Sequence, residues 1–319
     1  MKGIAVIVLF LISLSCLNAQ DKKVTVALDG SGDYQTIQAA VNAMPDHSQV
    51  RLTILLKPGV YREKLVIPSW KTKIALVGEN AEKTIIVWDD YSGKDNRNTF
   101  TTYTVLVQGN DFFAENIAFE NSAGPTVAQA VALHVEGDRC VFRKCRLIAN
   151  QDTLYTGVDN SRQYYIDCYI EGTTDFIFGP ATVVFERCHI HGKKNSYVTA
   201  ASTPEHQRFG YVFKDCKITA SSEVQRLYLG RPWRPYAKTV FMNCELSEKI
   251  LPEGWHNWNK PDAERTSFYA EYKSTGKGAN PSARVPWSHQ LTDVQAAEYT
   301  LSNIFGGWNP DQVLKAGVN

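Results

Sequence analysis

The chain reads as an all-β protein, a single right-handed parallel β-helix with an N-terminal capping helix and a C-terminal helical tail. Three observations predict this. Five short phrases share one alternating pattern: FRKCRL (142–147), YIDCYI (165–170), FERCHI (185–190), FKDCKI (213–218) and FMNCEL (241–246). An earlier copy, FAENIAF (113–119), puts Asn116 in the cysteine position, so successive copies lie 29, 23, 20, 28 and 28 residues apart. Each phrase suits a strand and is too short for a helix. A repeat of variable length is what stacked coils give when strands keep register and turns do not. Finally, no linker or low-complexity stretch divides residues 20–319, so they form one domain.

Residues 1–19 (MKGIAVIVLFLISLSCLNA) carry one charge, Lys2, then an apolar run and the small residue Ala19. This predicts a cleaved signal peptide, too short to span a membrane comfortably, and hence a secreted or periplasmic protein. A lipoprotein attached at Cys16 is the alternative, although Ser13 stands where such signals usually carry an aliphatic residue. Next, TIQAAVNAM (36–44) spaces Ile37, Ala40, Val41 and Met44 as a helix does, with Asp33 as candidate cap. Such a helix would cover the open end of the solenoid. Strands follow at RLTILL (51–56), KIALV (73–77) and TIIV (84–87), ended by turn residues such as Pro58-Gly59 and Gly78. After the repeats, DVQAAEYTLSNIF (293–305) predicts a packing helix.

Without residues 1–19 the chain has 33 basic and 33 acidic residues. It is neutral, with no electrostatic case for nucleic acid or anionic membranes. Six cysteines remain (140, 145, 168, 188, 216 and 244), five of them in the repeat. Stacked parallel side chains are poorly aimed for bridging, so they read as free core residues. Cys188 and His189 point to opposite faces of a strand and cannot share a metal. No metal and no cofactor are expected.

The repeat also aligns two acids. Asp152 follows Cys145 by seven residues, and Asp175 follows Cys168 by seven. Equivalent rungs lie ~4.8 Å apart, which makes the two carboxylates neighbours. The same count puts Asn195 at that place on the next rung. Two carboxylates that close cannot both ionise freely, so one pKa rises and the pair divides into an acid and a base. Asp175 lies in GTTDFIFG (172–179), apolar company that is costly for an unpaired charge. LGRPW (229–233) offers Arg231, between a fixed turn and an indole, as a two-point partner. Gln151, beside Asp152, and Gln129, opening the apolar strand QAVAL, offer neutral donors to an oxyanion.

With GVYRE (59–63), QAVAL (129–133) and QDTL (151–154), these motifs occur in an order that resembles the pectin methylesterase (pectinesterase) family from about Asp29 to about Trp308. The family fold is a right-handed parallel β-helix, and the activity implied is hydrolysis of the methyl esters of polygalacturonate. The resemblance implies that Asp175 is the nucleophile, that Asp152 protonates departing methanol and then activates water, and that Gln129 and Gln151 stabilise the oxyanion. It further implies that Arg231 holds Asp175 ionised, that Trp233 lines the groove, and that Thr99 touches substrate. Tyr155, Phe178 and Trp255 are implied as groove aromatics. His134 stands where many members have arginine; counted by alternation from Gln129, it faces away from that residue.

A glycoside hydrolase is the rival enzyme, since carboxylates ~5 Å apart also suit a retaining glycosidase. The glutamines and arginine argue against it, because an oxocarbenium-like transition state needs no oxyanion hole. The rival without chemistry is a carbohydrate-binding β-helix in which both aspartates only bind hydroxyls. The expected partner is pectin, met by a monomer.

Overall fold

A computed structural model describes residues 22–316; the signal sequence expected over 1–19, including Cys16, lies outside the described residues. Its strands form three parallel sheets of eleven, eight and seven strands. Each full coil contributes one strand to each sheet. In one such coil, 162–166 joins the first sheet, 169–172 the second and 177–179 the third. This is the right-handed parallel β-helix expected from the repeat.

Alternation sends one side of every strand inward, and equivalent residues stack along the axis. Phe142, Tyr165, Phe185, Phe213 and Phe241 make one interior column, with successive ring centroids 4.7, 5.1, 4.5 and 4.3 Å apart and nearly parallel planes. Leu147, Ile170, Ile190, Ile218 and Leu246 make another, all fully buried or nearly so. The column of Cys145, Cys168, Cys188, Cys216 and Cys244 lies between them, and these and Cys140, the six cysteines among the described residues, are free and buried. The earliest copy is shifted by one: Glu115 pairs with Arg143 and Ala118 with Arg146, so Ile117, not Asn116, takes the cysteine position. Asn116 instead occupies the turn at φ 55°, equivalent to Lys144, Asp167, Arg187, Asp215 and Asn243, all between 49° and 54°. A left-handed residue at each of these six corners bends a strand of the first sheet into the second.

The predicted helix appears over Ile37–Ala43 and buries Ile37, Ala40 and Val41. Its cap is Thr36, whose hydroxyl accepts from the Ala39 backbone, and not Asp33. Asp33 accepts from the Thr25 backbone instead, so it serves the preceding turn. The C-terminal run is two helices, Asp293–Ala297 and Leu301–Ile304, followed by Pro310–Ala316. Thr300 starts the second by accepting from Asn303, which breaks the single helix expected over 293–305. This tail packs Ile304 and Phe305 on the outer face of the first sheet against Val141, Tyr164 and neighbours. Among the described residues no helix is long and apolar enough to cross a membrane.

Candidate active site

The third sheet presents its outer face to a cleft of about 290 Å³ lined by residues from several successive coils. Asp152 and Asp175 stand at the corners that enter two of its strands, 154–156 and 177–179. Leu154 pairs with Ile177, which puts Asp152 and Asp175 in register on adjacent rungs as the cysteine spacing predicted. Both have left-handed backbones, φ 64° and 50°, a region that aspartate enters more readily than most residues. Their amides remain in the ladder: Asp152 donates to Thr174 O and Asp175 to Tyr197 O. Ile177 pairs with Thr199, which corrects the next rung: Tyr197 and not Asn195 is the equivalent. Asn195 caps a turn by accepting from the Gln225 and Arg226 amides.

The glycines around the Asp175 motif have separate reasons. A Cβ on Gly172 would lie 2.2 Å from that of Phe176, and Gly179 has φ 131° with Thr156 O in the space a side chain would need. Between them Phe176 and Ile177 go into the core, while Phe178 faces the cleft with 4% exposure.

Arg231 follows strand Leu227–Gly230, and its amide still donates to Thr199 O. Its Nε donates to Asp175 Oδ1 at 2.9 Å and its Nη2 to Oδ2 at 2.7 Å. The guanidinium lies between two aromatic faces, 3.6 Å from the Trp258 centroid and 3.9 Å from that of Tyr197. The indole stacked on Arg231 is therefore Trp258, not the Trp233 of its own motif. Trp233 lines the cleft beside Phe178 and Phe100.

Both acids are nearly buried, Asp152 at 7% and Asp175 at 6% exposure. Burial raises the Asp175 carboxyl, and the Arg231 ion pair pulls it back, leaving it moderately above the ordinary range. Asp152 goes well above that range through burial and then the Asp175 charge, with Arg231 only partly offsetting them. Among the described residues Asp152 has no ion pair. Arg231 thus keeps Asp175 easier to ionise than Asp152, which is pushed further toward its protonated form.

The cleft also contains Thr99, Gln129 and Gln151, so these expectations coincide with the site. Tyr155 stands behind the lining, packed on Phe100 and Phe178 at centroid distances of 5.1 and 4.8 Å. Trp255 is a correction. It is 1% exposed and stacks on Tyr269 in the core at 4.4 Å, while Trp258, three residues on, is the groove aromatic. The isolated bridge of Gly230 to Trp255 fixes that orientation. His134 is a second correction. The strand begins at Leu133, so alternation cannot be counted from Gln129. His134 pairs with Tyr155 and packs edge-on to its ring at 4.6 Å, on the cleft side of the sheet. Phe100, Ala200 and Trp258 were missing from the sequence reading, because distant coils bring them to the cleft. No cluster of His, Cys, Asp or Glu suited to a metal occurs among the described residues.

Comparison with known proteins agrees with this geometry. The profile of the Pectinesterase family matches residues 23–307. Pectinesterase 31 of Arabidopsis thaliana is 41% identical over 291 residues, covering 88% of this chain and 91% of that protein. Pectin methylesterase from carrot superposes with a TM-score of 0.86 at 40% identity, covering 92% of this chain and 95% of that one. The pectinesterase/pectinesterase inhibitor of Ficus pumila var. awkeotsang is 40% identical over 299 residues, but this chain spans only 54% of its length. The chain belongs to the pectinesterase family and is an enzyme that hydrolyses the methyl esters of pectin.

Proposed function

We propose that Asp175 is the nucleophile of this hydrolysis and Asp152 its acid and base. The observation that carries the reading is the two-point ion pair of Arg231 with Asp175 beside an acid that has no cation of its own. A carboxylate oxygen of Asp175 attacks the ester carbonyl of a methyl galacturonate, and the carbonyl oxygen becomes an oxyanion. The Gln129 and Gln151 amides stabilise that charge. Methoxide is too basic to leave unaided, so Asp152 gives it a proton and methanol departs. The result is a mixed anhydride between the sugar acid and Asp175. Asp152, now ionised, removes a proton from water. The hydroxide adds to the sugar carbonyl, and Asp175 leaves as its carboxylate, still held by Arg231.

Thr99, Phe100, Phe178, Trp233 and Trp258 bind the sugars around the reactive unit, with Tyr155 supporting Phe100 and Phe178. The enzyme acts as an exported monomer on a polymer, with no nucleic-acid partner.

Methanol release measured together with pectin chain length tests this against depolymerisation. Methanol should appear while chain length stays constant; shortened chains would favour the glycosidase reading. The pH profile tests the division of roles. Asp175 must be ionised, so activity falls as pH drops through its raised pKa. Asp152 must start protonated, so activity falls as pH rises through its higher one. A bell with both limbs above the ordinary carboxylate range is expected, and a profile flat across that range would contradict the assignment.

A further inference from the structure

The segment that covers Arg231 has an uncommon backbone. Trp258 and Asn259 are consecutive left-handed residues, φ 58° and 55°, a region bulky side chains rarely enter. Such a conformation persists only where its surroundings over-determine it. Trp258 packs against the Phe178 and Ala200 side of the cleft, with Lys260 Nζ 4.6 Å from its ring centroid and the Lys260 amide on Asn257 O. Lys260 Nζ donates to Trp233 O at 3.1 Å, and Asn257 Nδ2 donates to Glu264 Oε1 at 2.7 Å. Asn257 Oδ1 accepts from the Asn259 amide at 2.9 Å. The Trp258 amide itself donates to His256 Nδ1, also at 2.9 Å.

His256 is fixed in turn. Its amide donates to Gly230 O, one residue before Arg231, and its ring packs on Tyr197 and Tyr228 at 5.5 and 5.4 Å. Tyr197 is also the second aromatic face on Arg231. An accepting Nδ1 requires the neutral imidazole with its proton on Nε2. A second proton would set an N–H against the Trp258 N–H and place a cation beside Arg231.

We propose that His256 is a positioning residue that keeps Trp258 seated on Arg231 while its imidazole is neutral and releases it on protonation. The proposal rests on Arg231 and Asp175 being the reacting pair. The groups around His256 favour the neutral form. Arg231 packs on the same Tyr197 ring, with Asp175 engaged on that guanidinium; the rings of Tyr197 and Tyr228 pack on the imidazole; Arg226 lines the pocket beside those tyrosines. On its own loop the charges are Lys260 and, across Asn257, Glu264. Burial and then Arg231 lower the imidazole below its usual range. The tether is therefore complete above the ordinary histidine pKa and is lost as pH falls through the lowered one.

The test is kcat/KM for methanol release from highly methylated pectin across pH, for wild type, His256→Asn, His256→Ala and Asp175→Asn. Asparagine can accept from the amide two residues on, as Asn257 already does, and it does not titrate. His256→Ala should lose about tenfold at about pH 8, and His256→Asn should restore activity there to within about threefold of wild type. The ratio of His256→Asn to wild type should rise about fivefold between about pH 8 and about pH 5. A ratio constant across that range overturns the proposal, as does a His256→Ala enzyme equal to wild type throughout. Turnover retained in Asp175→Asn would instead overturn the catalytic reading beneath it.

Discussion

Asp175→Asn is expected to lower kcat/KM for methanol release by about four orders of magnitude or more while the protein stays folded and still binds pectin. Asparagine is nearly isosteric and tolerates the left-handed backbone at φ 50°. Its carbonyl can still accept one hydrogen bond from Arg231. What it lacks is a second oxygen with the charge to attack an ester. Arg231 would keep its aromatic faces on Tyr197 and Trp258 but lose its counter-charge, so some loss of thermal stability should accompany the loss of turnover. Methanol assays paired with pectin binding and a melting curve separate these effects. An Asp175→Asn enzyme that turns over near the wild-type rate would show that the attacking group is elsewhere.

Arg231→Ala should act differently, by changing the protonation of Asp175 and not its chemistry. At 6% exposure, the Asp175 carboxylate would be left without the bidentate partner it has now. Breaking such a buried pair typically costs about 3–5 kcal/mol, which the protein avoids by protonating the acid. With Asp175 neutral, the like-charge contribution that raises Asp152 also disappears, and the two acids no longer differ in role. Activity at neutral pH should fall by about two to three orders of magnitude. The acid limb of the remaining activity should move to higher pH, since more alkaline conditions are then needed to ionise Asp175. Arg231→Lys should lie between, keeping the charge without the two-point geometry. An acid limb unmoved in Arg231→Ala would mean that Arg231 does not set the ionisation of Asp175.

The stacked coils were legible because a solenoid repeats its own register. The cysteine phrases located the rungs, and a seven-residue offset then placed Asp152 and Asp175 side by side. Counting failed where the chain departs from regular strand. The Asn116 assignment slipped by one, since the left-handed corner residue and the cysteine beside it both suit a polar-to-apolar change. The Asn195 assignment slipped because the turn before Ser196–Ala201 is two residues longer. Arg231 was identifiable from its motif and its need for an acid, whereas its aromatic clamp was not. Trp255 and Trp258 stand in one short stretch, and only the bridge between Gly230 and Trp255 decides which indole enters the core. Phe100, Ala200 and Trp258 come from coils far apart in sequence, so no local pattern announces that they share a cleft.

The covalent role of Asp175 is tested most directly by trapping it in an Asp152→Asn enzyme. The substrate would be an oligogalacturonate bearing a trifluoroethyl ester, small enough to stand in for the methyl ester and with an alkoxide that needs less help from an acid. Acylation should then proceed, while the water step lacks its base and stalls. A burst of about one equivalent of trifluoroethanol per enzyme is predicted, with the added mass on the peptide containing Asp175. Label on a different peptide, or steady release with no covalent adduct, would contradict it.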